Sequence, residues 1–316
     1  MKKALFILGS VFLTSFLVAQ KNGHEDNKFD NGGFEGELKS YYEDGQLKEV
    51  TTWRVGMKSE VKTYYNNGQL QKIGNNINFK EIGEWKRFHK NGKLSSKGEY
   101  KNGKRTGEWK TFHDNGELKT IGRYENGEET GEWKRMTKNG SLATLGNYLN
   151  GKRTGEWNLY FDRRQIKEVG KYDKGEKSGE WRSYYLTGEL EKIVEFQNNQ
   201  EVGECKAYYK NGQLKSIGVF DRGIRTGEWK QYYEGGELSV IGLYENGLQI
   251  NEWIIYYQNG QIREIVRYEN GLAEGLRKIY HDNGQLDSIG EMKNGKFSGE
   301  WKQYDKNGNL TRYVQH

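Results

Sequence analysis

The sequence predicts an all-β protein, an elongated single-sheet antiparallel β-hairpin solenoid of about 12 repeats of 24 residues. Three observations predict it: a fixed repeat period, two tight-turn signals per copy that are most often Asn-Gly, and columns of aromatic and glycine residues locked to the same period. GEWKTFHDNGEL starts at Gly107, GEWRSYYLTGEL at Gly179, GEWKQYYEGGEL at Gly227 and GEWKQYDKNGNL at Gly299. With the first Gly as offset 0, that position recurs every 24 residues from Ser59 through Gly83 to Gly299, with Asn251 as a variant. An earlier copy starts at Gly36, one residue out of step. A period of this length marks a stacked repeat array, which grows along one axis and needs no second core.

Taken in chain order, residues 1–20 (MKKALFILGSVFLTSFLVAQ) place two Lys before an apolar run ending at Ala19. This is the layout of a secretory signal peptide cleaved near Ala19 or Gln20, too short for a membrane span. The chain is therefore expected to be exported to the periplasm, cell surface or extracellular space. Residues 21–32 read as a polar linker and 33–316 as the array.

Asn-Gly falls at offsets 8 and 9 in eight copies (Asn115-Gly116 and Asn211-Gly212 among them) and at 19 and 20 in six (Asn102-Gly103 and Asn246-Gly247 among them). Asn-Gly suits a two-residue type I′ turn, where both central residues need φ > 0. Two such turns per copy make each repeat a hairpin. They set offset 6 opposite 11, offset 2 opposite 15 and offset 0 opposite 17. In that register the Trp column at offset 2 (Trp85, Trp109, Trp133, Trp157, Trp181, Trp229, Trp253, Trp301) covers the Gly of offset 15, a pairing that rescues glycine in strands. We read this Trp column as structural. The other face carries Glu at offset 1, Lys or Arg at 3, an aromatic at 5 and an aliphatic at 14. Such a two-sided sheet should twist into a trough.

Three departures stand out. Arg163-Arg164 occupies a turn that wants φ > 0, so a strained or widened loop is expected. One residue is missing between Gly56 and Ser59, so a bulge or altered turn should restore register. Cys205 and Arg277 replace Trp and read as soft points.

Composition limits the function classes. Net charge is +6, and removing Lys2 and Lys3 leaves 48 basic against 44 acidic residues, or +4. These charges alternate within every repeat, so no nucleic-acid footprint forms. Mean hydropathy is −1.04, yet 43 Gly and regular aromatics argue for order. The lone Cys205 cannot form an intramolecular disulfide. His89, His113 and His281 all fall at offset 6; even the neighbours His89 and His113 are a whole repeat apart, too distant to share a metal. The Glu column repeats one environment, whereas a catalytic carboxylate pair needs two different ones. No cofactor, metal or catalytic residue is expected, and the chain reads as a non-enzyme.

The consensus G-E-W-K-x-Y-Y-x-N-G-x-L-K-x-x-G-x-Y-x-N-G-K-x-x-G resembles the MORN repeat in its bacterial variant form, over about 280 residues. Chains of this kind are also catalogued as YwqK-type antitoxin-like proteins. The resemblance implies scaffolding, dimerisation and association with membrane surfaces. The first expectation is an exported scaffold that binds a protein or cell-envelope component. Its binding face would use Phe112, Tyr184, Tyr208 and Tyr232 with Lys110, Lys134, Lys206 and Lys230. The alternatives are a glycan or cell-wall ligand module, read from aromatic stacking, and a toxin's antitoxin partner. The last strand, uncovered at His316, further suggests end-to-end self-association.

Overall fold

The computed structural model describes residues 28–30, 33–54 and 58–316. The expected signal segment, and the linker up to residue 27, lie outside these. The described chain is all-β, with consecutive antiparallel hairpins and one short 3-10 turn at Asp162–Arg164. Two units are distinguished, one ending at Lys152 and one covering Arg153–His316. The first holds five hairpins, from Gly33–Tyr41/Leu47–Arg54 to Glu128–Met136/Leu142–Leu149, and a short strand Lys28–Asp30 that pairs with Gly33–Glu35. The second holds seven, from Lys152–Tyr160/Ile166–Asp173 to Lys296–Tyr304/Leu310–Gln315.

One turn forms as its dipeptide dictates. Asn102 and Gly103 both take positive φ (53° and 79°), as do Asn246 and Gly247 (51° and 80°), which gives the two-residue type I′ geometry. The Gly N–H then donates backward, Gly103 to the Glu81 carbonyl (2.9 Å) and Gly247 to that of Arg225 (3.0 Å), tying each hairpin to its predecessor.

The other turn differs from the sequence expectation. At offsets 8 and 9 only the Gly has positive φ, as in Gly116 (95°) and Gly212 (84°), and the Asn keeps an ordinary conformation. Tyr209 N–H donates to the Gln213 carbonyl (2.8 Å) and Gly212 N–H to the Tyr209 carbonyl (2.9 Å), which closes a three-residue loop with a glycine bulge. The register moves with it: Tyr208, at offset 5, stands opposite Leu214, and the residue after Leu214 is bulged. Offset 6 therefore does not face offset 11.

Its side chain reaches the next hairpin instead. Tyr209 Oη donates to the Tyr232 carbonyl (2.7 Å) and Tyr233 Oη to that of Tyr256 (2.6 Å). His89, His113 and His281 make the same reach to Phe112, Met136 and Tyr304 through Nε2, at 3.0–3.1 Å. A carbonyl only accepts, so Nε2 carries the hydrogen in each. These histidines are stand-ins for tyrosine.

The turn asparagines have a job other than φ. Asn115 Nδ2 donates to the Lys138 carbonyl of the next turn (2.7 Å), while its Oδ1 accepts the Glu117 N–H (3.1 Å). Asn91, Asn211, Asn259 and Asn283 repeat this bridge. Asn115→Ala removes two solvent-exposed hydrogen bonds and should cost about 1 kcal/mol. Faster hydrogen exchange at the Glu117 amide, with little change in the interior of Leu118–Glu125, is the expected reading.

The departures resolve in physical terms. Phe161 N–H still donates to the Gln165 carbonyl (2.8 Å), so the Arg163-Arg164 loop is not widened; Arg164 takes φ +66° in place of glycine. Strands Leu47–Arg54 and Lys58–Tyr64 pair without a register shift from Glu49↔Thr63 to Arg54↔Lys58. Other copies carry a bulge of two extra residues there and two residues between the last pair; here the bulge is lost and three residues separate Arg54 from Lys58, which leaves the repeat one residue shorter.

Candidate functional site

That bulge builds the buried face. Gly227, Glu228 and Trp229 together stand opposite Gly218, between the pairs Ile217↔Lys230 and Val219↔Thr226. Gly227 needs φ +65° to make the bend. The indole then lies flat over Gly218, where an added Cβ would stand 2.1 Å from Trp229 Cδ2. Its Nε1–H donates to the Val219 carbonyl (3.2 Å). Trp109 treats Gly98 likewise and donates to Glu99 (3.1 Å).

The cross-strand register sets Trp229 against Gly242 of its own hairpin, but the ring covers the glycine of the preceding one. The expectation that each Trp covers its own repeat's glycine is thus corrected: Trp85, Trp109, Trp133, Trp181, Trp229, Trp253 and Trp301 each cover the glycine of the hairpin before them. The cause is the bulge, which turns the side chain away from its register partner.

The offset-17 aromatics alternate with these indoles. In the first unit Trp85, Tyr100, Trp109, Tyr124, Trp133 and Tyr148 succeed one another edge-to-face, with centroids 5.2–6.1 Å apart. The second unit repeats this through Trp157, Tyr172, Trp181 and Phe196 and again through Phe220, Trp229, Tyr244, Trp253 and Tyr268. Cations cover the ladder: Arg105 lies 4.6 Å from the Trp109 ring, Arg225 4.6 Å from Trp229 and Lys177 3.8 Å from Trp181. Trp85, Trp109, Trp157, Trp181, Trp229, Trp253 and Trp301 are 1–5% exposed, and Trp133 is half-buried.

Besides the first copy, which has Leu38, three copies lack the Trp. Val61, Cys205 and Arg277 stand there, and their partners in the preceding hairpin are Thr51, Val194 and Val266 instead of Gly. Val194 and Cys205 are 3% and 4% exposed, packed with Phe196 and Phe220. The β-branched residue fills the space the indole vacates. Burial pushes the Cys205 thiol up, which suits an inert packing residue.

The opposite face holds the sequence-predicted binding residues. Strand alternation puts offsets 1, 3 and 5 together. Lys110 reaches Glu108 (2.7 Å), Lys134 reaches Glu132 (2.9 Å) and Lys230 reaches Glu228 (2.6 Å); Lys206 pairs with Glu204 in the same way. Hydrogen bonding to Glu204 and Glu228 holds the Lys206 and Lys230 ammonium groups above the ordinary lysine range. The lysines are thus half of a zwitterionic row, not free cations. Phe112, Tyr184, Tyr208 and Tyr232 are half-buried and pair with Leu118, Leu190, Leu214 and Leu238. Ring edges and hydroxyls beside salt-bridged pairs can accept a partner's apolar or polar groups.

Sequence reasoning missed the exposed aliphatics on this same face. Val219 and Leu243 (offset 16), Ile224, Leu248 and Leu272 (offset 21) and Leu276 (offset 1) are 36–50% exposed where other copies carry mostly polar residues. Lining up each offset column would have found them. Among the described residues no group of three His, Cys, Asp or Glu gathers as for a metal.

Comparison with known proteins follows this geometry. No curated protein matches the chain. Solved structures match only distantly: the GtfA/B complex bound to UDP and GlcNAc (16% identity, 35% of this chain and 22% of that one, TM-score 0.16) and TcdB2-TccC3-Cdc42 (12%, 91% and 19%, 0.18). A Photorhabdus luminescens Tc holotoxin pore gives 12%, 89% and 18%, with TM-score 0.19. The chain thus spans about a fifth of those chains, and such scores attach no activity to it. A family model described as "MORN repeat variant" matches ten segments: 34–54, 59–76, 81–102, 105–126, 177–198, 201–222, 225–246, 250–270, 273–294 and 297–316. Since these segments make up more than half of the sequence and coincide with its hairpins, the chain belongs to the MORN repeat variant family.

Proposed function

We propose that the chain is an exported, non-enzymatic scaffold that presents its Glu–Lys–aromatic face to a protein or cell-envelope component. MORN repeats serve as scaffolds for protein or membrane interaction, and that coarser role comes with the family. The observation that carries the reading is the division of the aromatics: the Trp column is consumed by packing, while Phe112, Tyr184, Tyr208 and Tyr232 stay half-open beside paired charges. Half-exposed aromatics on rigid strands are good anchors, because little side-chain entropy is lost on contact. A glycan module would want open indole faces, and the buried Trp rings provide none. Lys2 and Lys3 followed by the apolar run from Ala4 to Ala19 support export.

The test is cross-linking of the mature chain in envelope extract, with and without Tyr184→Ala, Tyr208→Ala and Tyr232→Ala together. Loss of the cross-linked proteins with unchanged hydrogen exchange in the Trp-bearing strands is expected. Identical cross-linked proteins from both chains would refute the assignment of the face. For export, N-terminal sequencing should find a chain starting near Lys21, and a cytosolic chain that keeps Met1 would overturn that part.

A further inference from the structure

Resting on the scaffold reading, we propose that the type I′ turn edge between Asp221 and Leu272 docks a basic amphipathic helix of a partner protein. Three consecutive copies place an aliphatic residue just after this turn, Ile224, Leu248 and Leu272, each 46–50% exposed. The same offset holds Lys80, Lys104, Glu128, Lys152, Glu176, Gln200 and Lys296 elsewhere, so the apolar row is confined to this stretch. The row is continuous. Ile224 Cγ2 leans over Gly247, Leu248 Cδ2 over Gly271 and Leu272 Cδ2 over Gly295, at 3.2, 3.3 and 3.7 Å from where a glycine Cβ would stand. A side chain at those glycines would break the ridge.

Directly opposite across the ladder are Asp221, Glu245 and Glu269, all exposed. Asp221 meets Arg222 of its own turn (3.4 Å), whereas Glu245 and Glu269 have no ion-pair partner among the described residues. An apolar row thus runs beside an acidic row. Both end together, at Gln197 and Gln200 on one side and Lys293 and Lys296 on the other. The bases that share the face within this stretch are Lys230, paired with Glu228, and Arg267, opposite Glu252.

Charge complementarity selects the partner, since aliphatic side chains flanked by Lys or Arg would satisfy both rows. Spacing selects its form. Equivalent residues of successive repeats lie two strand spacings apart, ~9.6 Å, and residues seven apart on a helix lie ~10.5 Å apart. A heptad of aliphatics can therefore seat one residue per repeat over the three copies. An anionic lipid surface is disfavoured by the acidic row.

The probe is a fluorescein-labelled 21-residue peptide with leucine at every seventh position and lysine beside each leucine, titrated with the full chain and read by anisotropy. The comparisons are a peptide with glutamate for lysine, the pair Leu248→Ser with Leu272→Ser, and the pair Glu245→Lys with Glu269→Lys. All four positions are exposed, so the variants should keep the wild-type hydrogen-exchange pattern. The unchanged chain should bind the lysine peptide, each variant pair should weaken it about tenfold or more, and the charge-reversed chain should prefer the glutamate peptide. Equal binding by all three chains, or no preference between peptides, would overturn the proposal. So would binding of phosphatidylserine vesicles that the serine pair abolishes, or self-association in sedimentation that it abolishes, because the occupant would then be a membrane or a second copy. Cross-linked partners lost with Tyr184, Tyr208 and Tyr232 are read separately, so failure of the helix site leaves the scaffold reading standing.

Discussion

Gly218→Val is expected to unfold the joint between strands Leu214–Asp221 and Ile224–Tyr232. The first atom of the new side chain would stand 2.1 Å from Trp229 Cδ2, and the backbone around it has no slack, because Ile217 and Val219 on either side are held in the ladder. The indole must leave. Its contacts with Phe220 and Tyr244 (5.2 and 6.1 Å), its cation cover from Arg225 and its hydrogen bond to Val219 leave with it. Overpacking alone typically costs 1–3 kcal/mol, and expulsion of a buried Trp adds a cost on the scale of its truncation, about 3–5 kcal/mol. A long array need not unfold in one step, so the measurement is residue-resolved hydrogen exchange: protection should collapse between residues 214 and 245 and persist toward Leu286–Lys293.

Trp85→Ala should have the next largest effect, about 3–5 kcal/mol of local stability. Trp85 is 1% exposed, covers Gly74, packs edge-to-face on Tyr100 (6.1 Å) and donates to the Asn75 carbonyl (3.2 Å). Alanine leaves a trench over Gly74 in the cluster with Val61 and Tyr100. Limited proteolysis should show new cleavage between residues 70 and 101 while the second unit keeps its native pattern. A variant as resistant as the parent would mean that the ladder is not what holds the hairpins together.

Much of this fold was legible in the sequence because Asn-Gly at a fixed period leaves the backbone few choices. The same dipeptide nevertheless makes two different turns. The deciding signal was the residue at offset 12, polar in Lys119, Lys215 and Arg263, which has no reason to face an aromatic. Letting offset 5 meet the invariant Leu or Ile of offset 11 requires one more residue in the loop, as Tyr208 and Leu214 show. The cross-repeat packing was legible too. Val194 and Val266 share their own repeats with Trp181 and Trp253, yet the Trp losses fall in the following repeats, at Cys205 and Arg277. A pairing within one hairpin cannot produce that offset, whereas packing across the joint must. The Glu–Lys pairs could be anticipated from spacing, but their consequence for the binding face could not: a lysine two residues from a glutamate is equally free to extend into solvent, and only geometry shows Lys230 returned to Glu228.

Trp229, like the six other rings seen over a glycine, is keyed to the glycine of the hairpin before it, and Val with Cys is an alternative key. A double-mutant cycle of Gly218→Val and Trp229→Cys tests it most directly, since together they copy the Val194–Cys205 pair one repeat further on. Each single change should strip hydrogen-exchange protection from residues 214–245, and the double variant should regain most of it, a favourable coupling of at least about 2 kcal/mol. If the two losses simply add, the rings and the glycines they cover are not keyed to one another, and the joint must be held by something else.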